Sequence, residues 1–540
     1  MLRLPASLLY ALCLSVAIGP ARGQTPPEPA AATPIHHLVI IFPENVSFDH
    51  YFGTYPNAAN PPGEPKFSAA SDTPSVNGLS PSLLTHNANA LNPANGAGAV
   101  NPFRLSRSQA ATADQEHDYT PEQMAFHGGL MDLFPKSVGK GNPPQGSSNS
   151  PLYTTGLTMG YFDGNTVTAL WNYAQRFAMS DNSYGSNFGP STPGAINLVS
   201  GQTNGVIDIR NGKGGLADGG NGSFTLISDP DPVGDVCSAT TRMLASMAGN
   251  NIGNLLNDAH VTWGWFSGGF DLTVENANAT SGCKRSSVSP VSGKMVPDYI
   301  PHHEPFQYYP STANPSHKRP SSIQSIGHNE DAVNHQYDVH DFYDAVKAGN
   351  FPAVSFLKAP AYQDGHAGYS NPLDEQTFIV EVMNFLQGVP EWKDTAVIVA
   401  YDDSDGWYDH QMGPVINQSS GSTDALTGPG SCGDGASALP GVDPANTHAQ
   451  GRCGFGPRLP LLALSPWAKV NFVDHAVTNQ ASIIVFIEDN WLHGKRLGRG
   501  SFDSISDPIT GMFDFSRPPR MKKLLLNSKT GEVERTIAGR

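Results

Sequence analysis

Basic residues are in short supply in this 540-residue chain: 32 lysines and arginines stand against 48 aspartates and glutamates, a formal net charge of −16. Such a chain repels nucleic acid. The same field opposes anionic substrates, so a phosphate site must bring its own local positive charge, most economically as a bound cation. Long hydrophobic runs are missing too. The longest, Leu4 to Ile18, is interrupted by Pro5 and falls short of the roughly 20 residues a membrane-spanning helix needs, which excludes a stable membrane anchor. Set between Arg3 and Ala21-Arg22-Gly23, it reads as an export signal spanning residues 1–23, so the chain is expected to be periplasmic or secreted. Its removal takes away Arg3 and Arg22, leaving 30 basic residues against 48 acidic, a formal charge of −18.

Cysteine is also scarce. Cys13 leaves with the signal, and Cys237, Cys283, Cys432 and Cys453 remain. An even count in an exported protein reads as two disulfides, for which four cysteines allow three pairings. The sequence-near pairs, Cys237 with Cys283 and Cys432 with Cys453, are favoured because each would staple a Gly-rich and Ser-rich loop region. Neither spacing suits zinc. A Gly-x-Ser-x-Gly elbow, a Gly-x-x-x-x-Gly-Lys phosphate loop and a His-Glu-x-x-His zinc helix are all absent, as is the cysteine setting of a sulfatase.

What is present is an alternation of strands and helices. Residues 24–35 read as a flexible Pro-rich and Ala-rich leader, and His36 to Phe42 as a strand buried on both faces. Residues 54–112 form a long polar surface excursion. Thr166 to Met179 has helical spacing, and residues 201–300, Gly-rich and broken apart from a strand at Val261 to Phe266, read as an insertion roofing the site. Farther on come a helix at Asp338 to Ala348, a strand at Ala353 to Leu357, a helix from Asp374 stopped by Gly388 and a strand at Ala396 to Ala400. Leu459 to Leu464 and a helix at Ala481 to Trp491 continue the pattern. The fold class is α/β, with a mostly parallel central sheet covered by helices, and residues 36–540 read as one catalytic domain.

Two acidic stretches sit where apolar runs of strand length end: Glu44-Asn45 in IIFPENVSFDHYFG and Asp402-Asp403 in TAVIVAYDDSDGWYDH. An adjacent carboxylate and carboxamide can both offer oxygen to one hard cation, although an isolated Glu-Asn is more often a plain turn. Two adjacent carboxylates repel unless a cation or proton neutralises them, so Asp402 and Asp403 are assigned to a metal. Asp405 and Asp409 suit a solvated acidic turn. Between the two stretches lies Gly189-Pro190-Ser191-Thr192-Pro193-Gly194, read as a rigid loop able to hold a hydroxyl against the metal. Ser191 is the expected nucleophile and Thr192 the reserve. With lysine and arginine scarce around these motifs, protonated His117, His302, His303 and His366 are candidates to hold phosphate oxygens and protonate a leaving group, which favours an acidic working pH.

At these residues the chain resembles the bacterial phosphoesterase family that contains respiratory-burst-inhibiting acid phosphatases and phosphatidylcholine-cleaving phospholipases C. The matching stretches are PENVSFDHYFG, DNSYGSNFGPSTPG, HHEPFQYY, DGHAGYSNP, YDDSDGWYDH and SFDSISDPITGMFDF. The resemblance implies an alkaline-phosphatase-like α/β core with long loop insertions. It implies one divalent metal held by Glu44, Asn45, Ser191, Asp402 and Asp403, a transiently phosphorylated Ser191, and a pocket lined by His117, His302, His303 and His366. Ser191-Thr192 stands where phospholipase members usually carry threonine then asparagine, and the chain ends soon after MFDF; both lean toward the acid phosphatase branch. The expected substrate is a phosphate monoester, with a phospholipid head group, cleaved by a phospholipase C, as the alternative. A secreted binding protein that kept the fold and lost catalysis would require loss of a ligand or of the nucleophile, and all of them are present.

Overall fold

The computed structural model describes Met1 and residues 29–143, 150–329, 332–433 and 449–537. Apart from Met1, the expected signal segment lies outside these residues. The central sheet has eight strands: β1 (His37–Ile41), β2 (Ala178–Ser180), β3 (Trp263–Ser267), β4 (Gln336–Asp338), β5 (Val354–Lys358), β6 (Thr395–Ala400), β7 (Leu461–Leu464) and β8 (Phe472–Asp474), in the spatial order β4-β3-β5-β1-β6-β7-β2-β8. All pairings are parallel except those that β7 makes with β6 and β2, so a single strand runs against the other seven. β5 and β6 are buried at every residue, which is why they read as continuous apolar runs rather than alternating ones.

Six helices frame or support the site: α1 (Tyr119–Phe126), α2 (Thr168–Arg176), α3 (Ser191–Ser200), α4 (Val339–Lys347), α5 (Pro372–Leu386) and α6 (Ala481–Trp491). α4 starts just past the expected Asp338, and α5 two residues ahead of the expected Asp374. The Asp338 side chain caps α4 and the Asn371 side chain caps α5, with Pro372 in its first turn. The connection β5-α5-β6 steps over β1, which lies between its two strands in register with both, Ile41 opposite Leu357 and Val399.

Several local expectations shift. The helix expected over Thr166 to Met179 ends at Arg176, and Ala178–Ser180 turns into β2, whose apolar residues keep helical spacing with those before them. The stretch Val261 to Phe266 belongs to the central sheet as β3. Between α3 and β3 stands a separate five-stranded sheet built from residues 204–247. The end of the leader is tied down, with the Ala32 and Thr33 amides donating to the carbonyl and side chain of Asn490. Both favoured disulfides are formed, Cys237–Cys283 and Cys432–Cys453. Among the described residues no helix is long and apolar enough to cross a membrane.

Candidate functional site

Because β1, β5 and β6 are parallel neighbours, their carboxyl ends open on one edge of the sheet, where α/β folds place ligands. The residues just past them are Glu44-Asn45, Lys358 at the tip of β5, and Asp402-Asp403. Two hydrogen bonds lock the first loop to the third: the Asn45 amide donates to Asp402 Oδ1 at 3.1 Å, and the Val46 amide to the Asp403 carbonyl at 3.0 Å. Asn45 takes a positive φ of 48°, which asparagine tolerates better than most residues, so that two successive side chains turn toward one point.

Ser191 is carried to that point by α3. The sequence reads Gly189 to Gly194 as a rigid loop, but the helix begins at Ser191, with Pro190 ahead of it and Pro193 in the first turn, where no intrahelical N–H is needed. The nucleophile candidate therefore occupies the positive end of a helix, which favours anions. Ser191 Oγ lies 2.8 Å from Glu44 Oε2, 3.3 Å from Asp403 Oδ2 and 3.4 Å from Asn45 Oδ1. Gly194 lets α3 come this close, since a Cβ there would be driven into the Asp402 carbonyl. Thr192 turns elsewhere, donating its hydroxyl to the His302 carbonyl at 3.2 Å and its amide to Asp229 at 2.8 Å.

Glu44, Asn45, Ser191, Asp402 and Asp403 are each 2% exposed or less, and their oxygens fit a hard divalent cation. Asp402 Oδ2 is buried with no hydrogen-bond partner. Burial, and then the Asp402 charge, push the Asp403 carboxyl well above its usual range, and burial raises Asp402 as well. This is carboxylate crowding of the kind that metal coordination relieves. One neutraliser is already built in: Lys358, 3% exposed, pairs its ammonium with Glu44 Oε1.

The four histidines divide. His117 Nδ1 faces the Gln115 carbonyl at 2.9 Å and Asp405 Oδ1 at 3.3 Å, with Nε2 3.4 Å from Asn45 Nδ2. Burial works against its charge, yet Asp403, Asp405 and Asp114 together hold it well above the usual imidazole range. His303 Nδ1 is 3.2 Å from Glu44 Oε1, but burial, with His302 and His366 beside it, pushes it well below that range. Burial, and then His117, bring His366 down to about 4, and its Nδ1 is bound to the Ala367 carbonyl at 2.6 Å. Of these three, His117 is the one whose surroundings favour the imidazolium. His302 stands one step back, 3.5 Å from Asp231 and edge-on to the His303 ring.

Other residues at the site escape sequence reasoning. Lys358 closes β5 one residue past the strand expected at Ala353 to Leu357. Asp405 and Asp409, expected to be solvated, are fully buried. Asp405 backs His117, and Asp409 pairs with the buried Arg458, which also holds Asp49. Glu122 on α1 and Asp364 beside His303 carry no local mark at all.

Phospholipase C A of Mycobacterium tuberculosis is 24% identical over 501 residues, covering 91% of this chain and 80% of its own. The non-hemolytic phospholipase C of Pseudomonas aeruginosa is 24% identical over 474 residues, 85% of this chain and 54% of its own. Among solved structures, a variant of alkaline phosphatase PafA aligns at 10% identity and a TM-score of 0.28, covering 64% of this chain and 93% of its own. A family model described as the phosphoesterase family matches residues 35–492. With most of its length inside that match, the chain belongs to the phosphoesterase family.

Proposed function

We propose that this chain is an exported, metal-dependent acid phosphatase that hydrolyses phosphate monoesters through a phosphoserine on Ser191, with residues 36–540 working as one catalytic domain. The observation that carries the reading is the convergence of Glu44, Asn45 and Asp403 oxygens within 3.4 Å of a single serine hydroxyl at a helix start. A divalent ion held by Glu44, Asn45, Ser191, Asp402 and Asp403 would lower the hydroxyl pKa and neutralise phosphoryl charge. Ser191 Oγ gives up its proton, Glu44 Oε2 being the nearest acceptor, and forms the bond to phosphorus as the ester oxygen leaves. His117, held protonated by its three aspartates, donates a proton to the departing alkoxide. Water then attacks phosphorus as the bond from phosphorus to the Ser191 oxygen breaks, and phosphate leaves. The serine oxygen takes back the proton held on Glu44, and the proton lost by the water passes by way of His366 to refill His117, whose ring centre is 5.7 Å away. His366, neutral and with Nδ1 occupied, keeps Nε2 to accept a proton from that water, and His302 and His303 line the pocket.

The relatives named phospholipase C favour a second reading, cleavage of phosphatidylcholine-like diesters by the same serine. Hydrolysis of p-nitrophenyl phosphate and of p-nitrophenylphosphorylcholine, compared at acidic and neutral pH, separates the two. The first reading expects the monoester to be turned over faster at acidic pH, and faster turnover of the choline diester replaces it with the second. Under either reading Ser191→Ala should lose activity by several orders of magnitude; parental turnover would remove Ser191 from the chemistry.

A further inference from the structure

Glu122 is 1% exposed and sits on α1, five residues after His117. Its carboxylate accepts two hydrogen bonds, both from segments that carry the centre. Oε2 accepts the Gly189 amide at 3.1 Å, two residues before Ser191. Oε1 accepts the Ser404 hydroxyl at 2.6 Å, next to Asp403 in sequence. Gly189 has a φ of 122°, outside what an L side chain adopts readily, so the turn into α3 is bent sharply at the point where Glu122 grips it. Burial pushes this carboxyl up to about 7 while the Ser404 and Gly189 bonds pull it down, so the fold bears a desolvation cost at this position.

We propose that Glu122 is a positioning residue of phosphoryl transfer. Its two oxygens tie the nucleophile turn to the Asp402-Asp403 loop and so set the distance between Ser191 Oγ and the acceptor oxygens. The inference rests on the reading of Ser191 as nucleophile. Glu375 supplies the internal comparison: it is as deeply buried and also bridges two donors, Tyr51 Oη and Tyr401 Oη, but although Tyr401 adjoins Asp402, neither donor belongs to the nucleophile turn, so Glu375 ties nothing to Ser191.

The test uses the full metal-loaded chain with p-nitrophenyl phosphate, reading kcat, KM, acid-trapped phosphoserine and melting temperature for E122A, E122Q, S404A, E375A and S191A. A slack clamp misplaces the attacking oxygen without altering the pocket, so E122A should lose kcat and phosphoserine formation by about 10²-fold, with KM within about threefold of the parent. In E122Q the amide oxygen can accept from Gly189 and the amide nitrogen can donate to Ser404, so at least about tenfold of that loss should return. S404A cuts one arm while Glu122 keeps the Gly189 amide, and should lose kcat by about tenfold, which keeps the inference open to test if E122A does not fold. E375A should lower the melting temperature comparably while kcat stays within about threefold. The inference is overturned if S191A is inactive while E122A and S404A turn over like the parent, or if E375A loses kcat as much as E122A does. Parental turnover by S191A would instead bring down the nucleophile reading, and this inference with it.

Discussion

Lys358 is the residue whose chemistry is most exposed to a single change. Its amine is buried against Glu44, and burial lowers its pKa, partly offset by Asp402, Asp364 and Asp403, which favour the charged form. Removing one partner of a buried pair leaves the other uncompensated, at a cost of about 3–5 kcal/mol. Lys358→Met should therefore be destabilised by roughly that amount in the presence of a chelator. Because the remaining charge is negative, a divalent ion should restore more stability to the variant than it adds to the parent. Thermal melts with chelator and with added metal measure both; equal metal-induced shifts in the two proteins would contradict the prediction. Sequence reasoning does not reach this lysine, because a charge at the end of an apolar run is ordinarily a solvated strand tip. Asp405 and Asp409 escape it for the same reason: burial is decided by chain segments distant in sequence, here His117 for one and Arg458 for the other.

At the scale of the element, α3 concentrates what the fold does for the site. Its start is hidden in the sequence because Pro193 and Gly194 read as loop formers, although proline is compatible with a first helical turn. Gly194 is there for proximity, its α-carbon packed on the Asp402 carbonyl. Gly194→Ala should overpack this junction, costing about 1–3 kcal/mol, and by pushing Ser191 away from the carboxylates should lower kcat by about 10²-fold. Chemical denaturation and steady-state rates measure the two effects, and parental kcat in a folded variant would show that the approach is not critical. Elements with strong local signals are legible in full: α6 spans the residues expected, and β6 and its acidic terminus emerge where an apolar run meets two carboxylates. The order of strands is not, since the position of β1 between β5 and β6 is a long-range pairing that leaves no mark on either segment.

Across the whole molecule, buried ionisable groups set the response of stability to pH. Burial pushes the Glu375 carboxyl up to about 8 from its ordinary 4.5. The folded chain thus keeps a proton that the unfolded chain releases, and this contribution is full below about 4.5 and drains away as pH rises toward 8. Burial pulls His50, stacked on Trp407 and bonded to the Gly160 carbonyl, from 6.5 down to about 3, so its contribution is full above 6.5 and is lost as pH falls toward 3. The two together favour mildly acidic conditions. Glu375→Gln, which cannot ionise, should lose less melting temperature than the parent between about pH 5 and pH 8. Melting curves at the two values decide it, and parallel losses would exclude Glu375 as the cause.

The Cys432–Cys453 bridge reaches further than its loop. The Cys453 carbonyl receives the Phe188 amide at 3.0 Å, one residue before the nucleophile turn, and the Cys453 amide donates to the Tyr119 hydroxyl at 2.8 Å, on the helix that carries Glu122. Oxidation of this pair thus fastens the scaffolding behind Ser191. Material made in a reducing cytosol would be assembled with that scaffolding unfastened, so the compartment of manufacture becomes part of the catalyst's construction.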